Sequence, residues 1–590
     1  MARPHLPPSL PQIQTALRRV TAGPTTPRKS GANVHLARTS TNATGADVST
    51  PASFPATVGN RTIITPPSPV IASKLDKFLR GYPLRKNIID GFTFGFPLHF
   101  DGSDTNLHSR NSSSATSNPE HVEAKLQTEV ALGRIAGPFH SPPLDNFKSS
   151  PLALREKHDS GRYRLLHNLS FPYDDRAVNF NIPRVFSTVH YASLATAITH
   201  IQDLSPGVFL AKSDISDAFR LIPLHPSNYN LTGFQWRNSY WVDLCLPMGC
   251  ASSCQTFESF SSALAWILTN KLGVGRMVKV LDDFLFLANT ESDCRKHLNS
   301  FLTLCREVGV PVSREKTLGP MTTLTFLGIE LNTLTMRAQL PLDKLQKYSA
   351  KIYEILQKRR VTLRDIKSVT GMLQFSTSVV SHGRAFLRRM HDATIGVKKP
   401  HHFVRITHGI RHDLTLWHEF LSNYNGVTII SRPPVSDSVS LHLYSDASKQ
   451  AFGATFASRW IRVAWPERWQ SLSITVLELY PILTLVATFA SDLSHTHVVF
   501  HCDNQAVVAI LNKQSSKCKS VMSILRPLIL LLLQHNVSFR AVHIPGVDNI
   551  VADALSRFQE TPDLLRRSGM QRSPTIVPSP FLPDNFPIIF

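Results

Sequence analysis

The stretch VKVLDDFLFLA, Val278–Ala288, sets two adjacent aspartates, Asp282 and Asp283, inside an almost wholly apolar run flanked by strand-forming residues. Two like charges ~4 Å apart repel by roughly 4 kcal/mol at an effective dielectric of ~20. A buried pair therefore needs a raised pKa on one carboxyl, or a cation between them. A divalent cation needs further carboxylates from another strand, and GVFLAKSDISDAFRLIPL offers them. Val208–Ala211 reads as a strand, Asp214 lies just past its end, and Asp217 follows one short turn on. Either aspartate alone could cap a turn. Asp214, Asp282 and Asp283 converging at strand ends suit two-metal phosphoryl transfer, one ion activating a hydroxyl and the other clamping the leaving phosphate.

A second set of acids follows. Asp446 ends the strand-like LHLYSD, Asp503 follows the strand-like THVVFHCD, and Asp553 lies in NIVADALSR. Glu478 sits in SITVLELYPILTLVATFA, a helix apolar nearly all round. A glutamate there is costly unless paired or bound to metal. The all-oxygen donors favour Mg²⁺, with Mn²⁺ as the alternative.

The elements that must hold these groups make up a chain of 590 residues, too long for one core. Its formal net charge of +21 points to a polyanionic partner, most simply nucleic acid. The basic residues are scattered through folded-looking segments, which disfavours a membrane surface. The 7 cysteines give no disulfide framework and no zinc spacing. ILRPLILLLL, Ile524–Leu533, is too short to span a bilayer and reads as a core helix. No secretory signal is visible, and Pro4, Pro7, Pro8 and Pro11 would break the helix of a mitochondrial presequence. An intracellular chain, cytoplasmic or nuclear, is expected.

Residues 1–75, rich in Pro, Ser and Thr, read as a disordered basic tail. Val122, Leu126 and Val130 at four-residue spacing predict a helix closed by Gly133. Mixed α and β patterning runs through 76–342, and 343–435 reads as helical and basic, with Thr362 and Asp365 as a capping box. The patch SRPPVSDS marks a boundary, 436–558 forms a further domain, and the Pro-rich 559–590 is expected to be a loose tail.

In this order the motifs resemble those of a reverse transcriptase. DISDAF matches the first palm motif, LPMGCASSCQTFE the second, VLDDF the third, REKT the fourth and FLGIEL the fifth, the primer grip. KHDSGRYR resembles the fingers loop, with Lys157 and Arg164 keeping the family's spacing of two triphosphate-contacting cations. Each motif is weak alone, but six in family order over about 180 residues are specific. Asp446, Glu478, Asp503 and Asp553 resemble the acidic set of the RNase H fold, with His543 as its proton shuttle and Asn549 at family spacing.

The resemblance, which covers roughly residues 80–558, implies an α+β right-hand polymerase (fingers, palm and thumb) followed by an α/β RNase H-like domain. It implies an RNA template, a DNA primer, deoxynucleotides and an RNA–DNA hybrid as partners. Asp214 and Asp282 would hold metal, with Asp283 beside them. Lys157 and Arg164 would neutralise phosphate oxygens, and Asp217, Ala218, Phe219, Met248 and Lys316 would line the nucleotide site. Phe219 matches the steric gate against a 2′-hydroxyl, and Lys316 matches the lysine proposed as general acid to pyrophosphate. The chain departs from the family at Val280, where Tyr or Phe is usual, and at Met248, where retroviral enzymes carry Gln.

DGFTFGFPLHFDG, LDDFL, GMLQFSTSVVSHGRAFLRRM and HIPGVDNIVADALSR look most like DIRS-type retrotransposons. Asp159-Ser160-Gly161 spells an aspartic-protease signature, but its charged flanks argue against that use. Two rivals remain at this level: an RNA-dependent RNA polymerase, which needs neither Phe219 as gate nor an RNase H domain, and a non-catalytic nucleic-acid-binding derivative.

Overall fold

The computed structural model describes residues 68–156, 163–204, 206–380, 382–424 and 441–588, with the backbone of 57–58 and 61–62. Lys157, the Asp159-Ser160-Gly161 signature, the SRPPVSDS patch and nearly all of the N-terminal tail lie outside them. The described residues form two compact units, one running up to Leu327 and including Leu331–Thr335, the other containing Gly328–Glu330 and the described residues from Met336 on.

In the first unit, helix α1 spans Ala72–Phe78 and α2 (Pro119–Ala131) buries Val122 and Leu126. Strand β1 (Ile135–Phe139) follows, then the hairpin of β2 (Leu152–Glu156) and β3 (Tyr163–His167). The central sheet contains β4 (Phe209–Asp214). Beyond it, β5 (Gly233–Trp236) and β6 (Ser239–Asp243) pair with each other, and β6 pairs with β1. Helix α3 (Ser253–Asn270) leads into a second hairpin, β7 (Arg276–Val280) and β8 (Asp283–Ala288). Helix α4 (Glu291–Val308) and β9 (Leu318–Met321) complete the sheet, whose order is β7-β8-β4-β9.

Local chemistry sets α4. Thr290 accepts a bond from the Asp293 N–H at 3.1 Å, acids fill the first turn, and Gly309 closes the helix at φ +80°. Its buried face, Cys294, Leu298, Phe301 and Cys305, follows the helical repeat. Phe301 packs on Phe284 and Phe286 of β8 with centroids 4.7 and 5.5 Å away.

The second unit opens with α5 (Leu342–Leu356), α6 (Leu363–Ser376) and α7 (His408–Tyr424). Its sheet is built from β10 (Leu441–Ala447), β11 (Ala451–Phe456) and β12 (Arg459–Ala464), with β13 (His497–Cys502) beyond helix α8 (Ile474–Thr488). Helix α9 (Lys519–Gln534), β14 (Ser538–His543), α10 (Ile550–Ser556) and α11 (Pro562–Arg567) follow. The strand order is β12-β11-β10-β13-β14, antiparallel up to β10 and parallel beyond it. The uniformly apolar α8 packs on β10, β11 and α9, which accounts for its lack of a polar face.

Two expectations are corrected here. The helical 343–435 segment and the following sheet are not separate bodies. Asp413 of α7, fully buried, is paired with Arg389 at 2.7 Å and with Arg526 of α9 at 3.7 Å. The C-terminal residues are not loose: Phe581, Phe586 and Ile588 are buried. Tyr480 donates to the Phe581 carbonyl at 2.8 Å, and the Trp469 indole N–H donates to the Pro583 carbonyl at 3.1 Å. Prolines expose backbone carbonyls without N–H groups of their own, and aromatic donors from the core take them up.

Candidate active sites

In the first unit Asp283 stands directly opposite Asp214 in the β8–β4 register. Asp282 follows Leu281 in the two-residue turn between β7 and β8, and Leu281 takes φ +54°. Ile215 donates its N–H to the Asp282 carbonyl at 3.0 Å, which ties the turn to the end of β4. Glu258 of α3 holds the hairpin through Lys279 and the Leu281 N–H, the latter at 3.3 Å. Asp214 is the last residue of its strand rather than a residue beyond it. It is buried, and the Lys316 ammonium donates to its Oδ2 at 2.7 Å.

Burial, then the charges of Asp214 and Asp283, push Asp282 up to about 6. Burial and Asp214 likewise raise Asp283. Burial works against the Lys316 ammonium, but its hydrogen bond to Asp214 prevails and raises its pKa. The three carboxylates are oxygen donors of the kind a hard divalent cation takes, though among the described residues they do not form a group with ligand atoms all within 4.8 Å of one another.

A cavity of about 340 Å³ opens beside them. Arg164, Asp214, Asp217, Ala218, Phe219, Met248, Asp282 and Lys316 all line it, whereas Asp283 does not. Ala218 and Phe219 lie on a single 3₁₀ turn, Ala218–Leu221, introduced by Asp217 at φ +52°. The Phe219 ring meets Phe257 edge-on at 5.9 Å.

In the second unit four elements bring the acids together. Asp446 is buried on β10, Glu478 is buried on α8, Asp503 follows β13, and Asp553 lies on α10. Asp446 pairs in register with Gly453 of β11, and α10 rests on that glycine. A Cβ at Gly453 would lie 2.3 Å from the Leu555 Cβ and 2.7 Å from the Ala552 carbonyl, so only glycine lets α10 deliver Asp553 here. Burial, followed by repulsion from Asp446 and Asp503, pushes Glu478 up to about 9. Burial is the main cause that raises Asp446 to about 6.

The buried oxygens Asp446 Oδ2 and Asp503 Oδ1 have no hydrogen-bond partner, a costly state that a cation would relieve. Ligand atoms of Glu478, Cys502 and Asp503 lie within 4.8 Å of one another. Asp446 and Asp553 lie outside that group, so two of the four expected acids, Glu478 and Asp503, are the ones brought within ligand distance of each other. His543, exposed on the rim, hydrogen-bonds the Asp503 carbonyl through Nε2 at 3.0 Å, so Nε2 carries the proton and Nδ1 is the basic atom. Asn549, 2% exposed, donates to the Ser445 carbonyl at 2.9 Å and secures the loop before α10.

Sequence reasoning missed a charged layer lining the first cavity, formed by Glu129, Arg220, Asp243 and His167. The signal was present: Arg220 and Asp243 interrupt apolar runs, RLIPL and WVDLCLP, as the paired aspartates do.

Residues 155–331 match a family profile described as "Reverse transcriptase (RNA-dependent DNA polymerase)", a span holding every residue assigned to the first cluster. Residues 486–559 match "Reverse transcriptase-like", which includes Asp503, His543 and Asp553. The Gag-Pol polyprotein of avian reticuloendotheliosis virus is 26% identical over 229 residues, 36% of this chain and 18% of that protein. The Gag-Pro-Pol polyprotein of human T-cell leukemia virus 2 is 24% identical over 311 residues, 49% of this chain and 18% of that one. The chain thus spans under a fifth of the length of these relatives. A foamy viral protease-reverse transcriptase in complex with RNA/DNA hybrid aligns with a TM-score of 0.47 at 15% identity, covering 85% of this chain and 62% of that one. By profile, the protein therefore carries a region similar to reverse transcriptases at 155–331 and one similar to reverse transcriptase-like domains at 486–559.

Proposed function

We propose that the protein is an RNA-directed DNA polymerase of a retroelement, with a ribonuclease H that acts on RNA–DNA hybrids. The observation that carries this reading is the register of Asp283 with Asp214, with Asp282 at the adjoining turn, beside a cavity whose wall holds Arg164, Phe219 and Lys316. The DIRS-type subfamily is the finer reading, supported by the sequence motifs of the fingers, connection and C-terminal domain.

Magnesium, held by Asp214 and Asp282 at one site and by Asp446, Glu478, Asp503 and Asp553 at the other, would supply the activated oxygen nucleophile and neutralise phosphate charge. The chain's own groups do the rest. Arg164 meets triphosphate oxygens as a planar fork, and Lys157 adds a point charge. Phe219 closes the space a 2′-hydroxyl would need, so deoxynucleotides fit. Lys316 stays protonated on the cavity wall and can give its proton to departing pyrophosphate. At the second site the free Nδ1 of His543 can take and return a proton beside the cut strand. The cationic chain holds template, primer and hybrid by their phosphates, so binding weakens steeply with salt.

Primer extension on an RNA template tests this directly, with hybrid cleavage measured on the same samples. Asp282→Asn should reduce extension by at least about 10³-fold and leave cleavage intact, and Asp503→Asn should do the reverse. Extension undiminished in Asp282→Asn sinks the palm assignment. Ribonucleotides used as readily as deoxynucleotides would favour an RNA polymerase, and two silent activities would favour a non-catalytic binding protein.

A further inference from the structure

Arg220 follows the gate residue Phe219 on the same 3₁₀ turn, yet its side chain enters the charged layer rather than the sugar position. Its Nε donates to Glu129 Oε2 of α2 at 3.0 Å, and its Nη2 donates to Asp243 Oδ1 of β6 at 2.8 Å. Its Nη1 lies 3.4 Å from the carbonyls of Cys245 and Leu246, so every guanidinium nitrogen is engaged. The side chain is only 11% exposed.

The layer continues in both directions. Asp243 Oδ2 binds His167 Nδ1 at 2.9 Å, and His167 Nε2 reaches the Gly233 carbonyl at 3.0 Å. Both ring nitrogens of His167 are thus held, one by the Asp243 carboxylate and the other by the Gly233 carbonyl. The His167 main-chain N–H donates to the Met248 carbonyl at 3.1 Å, so another wall of the cavity is attached. On the other side, Arg134 donates to Asp217 Oδ2 at 3.1 Å and lies 3.9 Å from Glu129. The two residues that flank the Ala218–Phe219 pair, Asp217 before and Arg220 after, are thus both clamped to α2 and its following turn.

We propose that Arg220 is a positioning residue for the sugar gate, its fork to Glu129 and Asp243 fixing the Phe219 ring and so setting discrimination between deoxynucleotides and ribonucleotides. This rests on the polymerase reading above. A fork with two fixed acceptors sets the orientation of its own backbone turn, which a point charge on a flexible stem does not. A rotation of the turn would widen the space for a 2′-hydroxyl while leaving the carboxylates of β4 and the β7–β8 hairpin in place.

The test compares wild type, Arg220→Lys, Phe219→Val and the double variant by kcat and KM for a deoxynucleotide and its ribonucleotide, with a melting curve for each. Wild-type extension with the deoxynucleotide is the arm that tests the polymerase reading itself. With that arm positive, Arg220→Lys should melt cooperatively and still extend with the deoxynucleotide. Its ratio of kcat/KM between the two sugars should fall about 10- to 100-fold, with little further fall in the Phe219→Val background. A folded Arg220→Lys with the wild-type ratio overturns the proposal, and so does a loss that adds fully to that of Phe219→Val. If Arg220→Lys fails to fold, Arg134→Met, which releases Asp217 and removes the 3.9 Å contact to Glu129 but keeps the Arg220 fork, is read by the same ratio under the same criteria.

Discussion

The two acidic clusters meet one electrostatic problem with different parts. In the first unit the carboxylates lie on adjacent strands of one sheet and at one hairpin turn, and a lysine sits on the buried member. In the second, four separate elements each contribute one acid, and the basic neighbour, Arg557, reaches the partly exposed Asp553 at 2.7 Å. Asp282 rises only to about 6 while Glu478 is driven to about 9. A cluster built from backbone register needs little more than its own sheet. A cluster assembled from four elements exists only while the packing around it holds.

The sharpest way to break this contrast is through the packing of the second unit. Phe586 is 2% exposed and its ring lies 5.1 Å from Tyr480 of α8, the helix that carries Glu478. Phe586→Ala should cost about 3–5 kcal/mol and lower the unit's calorimetric transition, with hybrid cleavage weakening before extension does. A melting profile indistinguishable from wild type would remove the C-terminal segment from the core.

One titrating group in each unit extends the comparison. His382 in the second unit is 7% exposed, stacks on Phe539 at 5.0 Å and accepts a bond at Nδ1 from Gln514 Nε2 at 2.9 Å. Burial lowers its pKa from 6.5 to about 4. The folded state therefore binds fewer protons than the unfolded chain, and stability falls as pH drops from 6.5 toward 4, by about 3 kcal/mol in all. In the first unit burial would raise Asp243, but Arg220 and His167 outweigh it and hold its pKa below 3.8. The stability from Asp243 is complete above 3.8 and is lost only below it. His382→Gln should remove this contribution from the second unit, read as a smaller loss of unfolding free energy between pH 6.5 and 4 than that unit gives with His382 present.

The same contrast explains what could be read from the residues alone. The acids of both sites stand out because a carboxylate inside an apolar run is visible without any fold. Their partners do not. Arg220 and Glu129 are 91 positions apart, and nothing in either segment names the other. Asp413 gives no hint that it will meet Arg389 and Arg526, so the helical segment looked separable from the sheet that follows. The C-terminal residues lack a period of 2 or 3.6, and their anchorage is through carbonyls that every residue possesses. Local devices were the most legible: the Val122 and Leu126 helix and the Thr362 cap both form as their spacing indicates. The cap differs from a full capping box, since Asp365 takes the Thr362 hydroxyl at 2.6 Å instead of reaching back to the main chain.

That cap has a counterpart in the first unit, which gives the finest comparison. Thr290 and Thr362 each accept an N–H bond at 3.1 Å from an aspartate three residues on, Asp293 and Asp365. Each also donates its hydroxyl to that carboxylate, at 2.7 and 2.6 Å. Replacing either threonine by alanine should cost about 1 kcal/mol. The surroundings differ: Thr290 is exposed, while Asp365 is also bound by Lys351 of α5 at 3.0 Å, joining α6 to its neighbour. Losing the Thr362 hydroxyl loosens a carboxylate that links two helices, whereas losing that of Thr290 frees only a surface turn. Thr362→Ala should therefore lower the denaturation midpoint of its unit more than Thr290→Ala lowers that of its own, by a few tenths of a kcal/mol. Equal losses would mean that a local cap carries the same weight in both units, however each is packed.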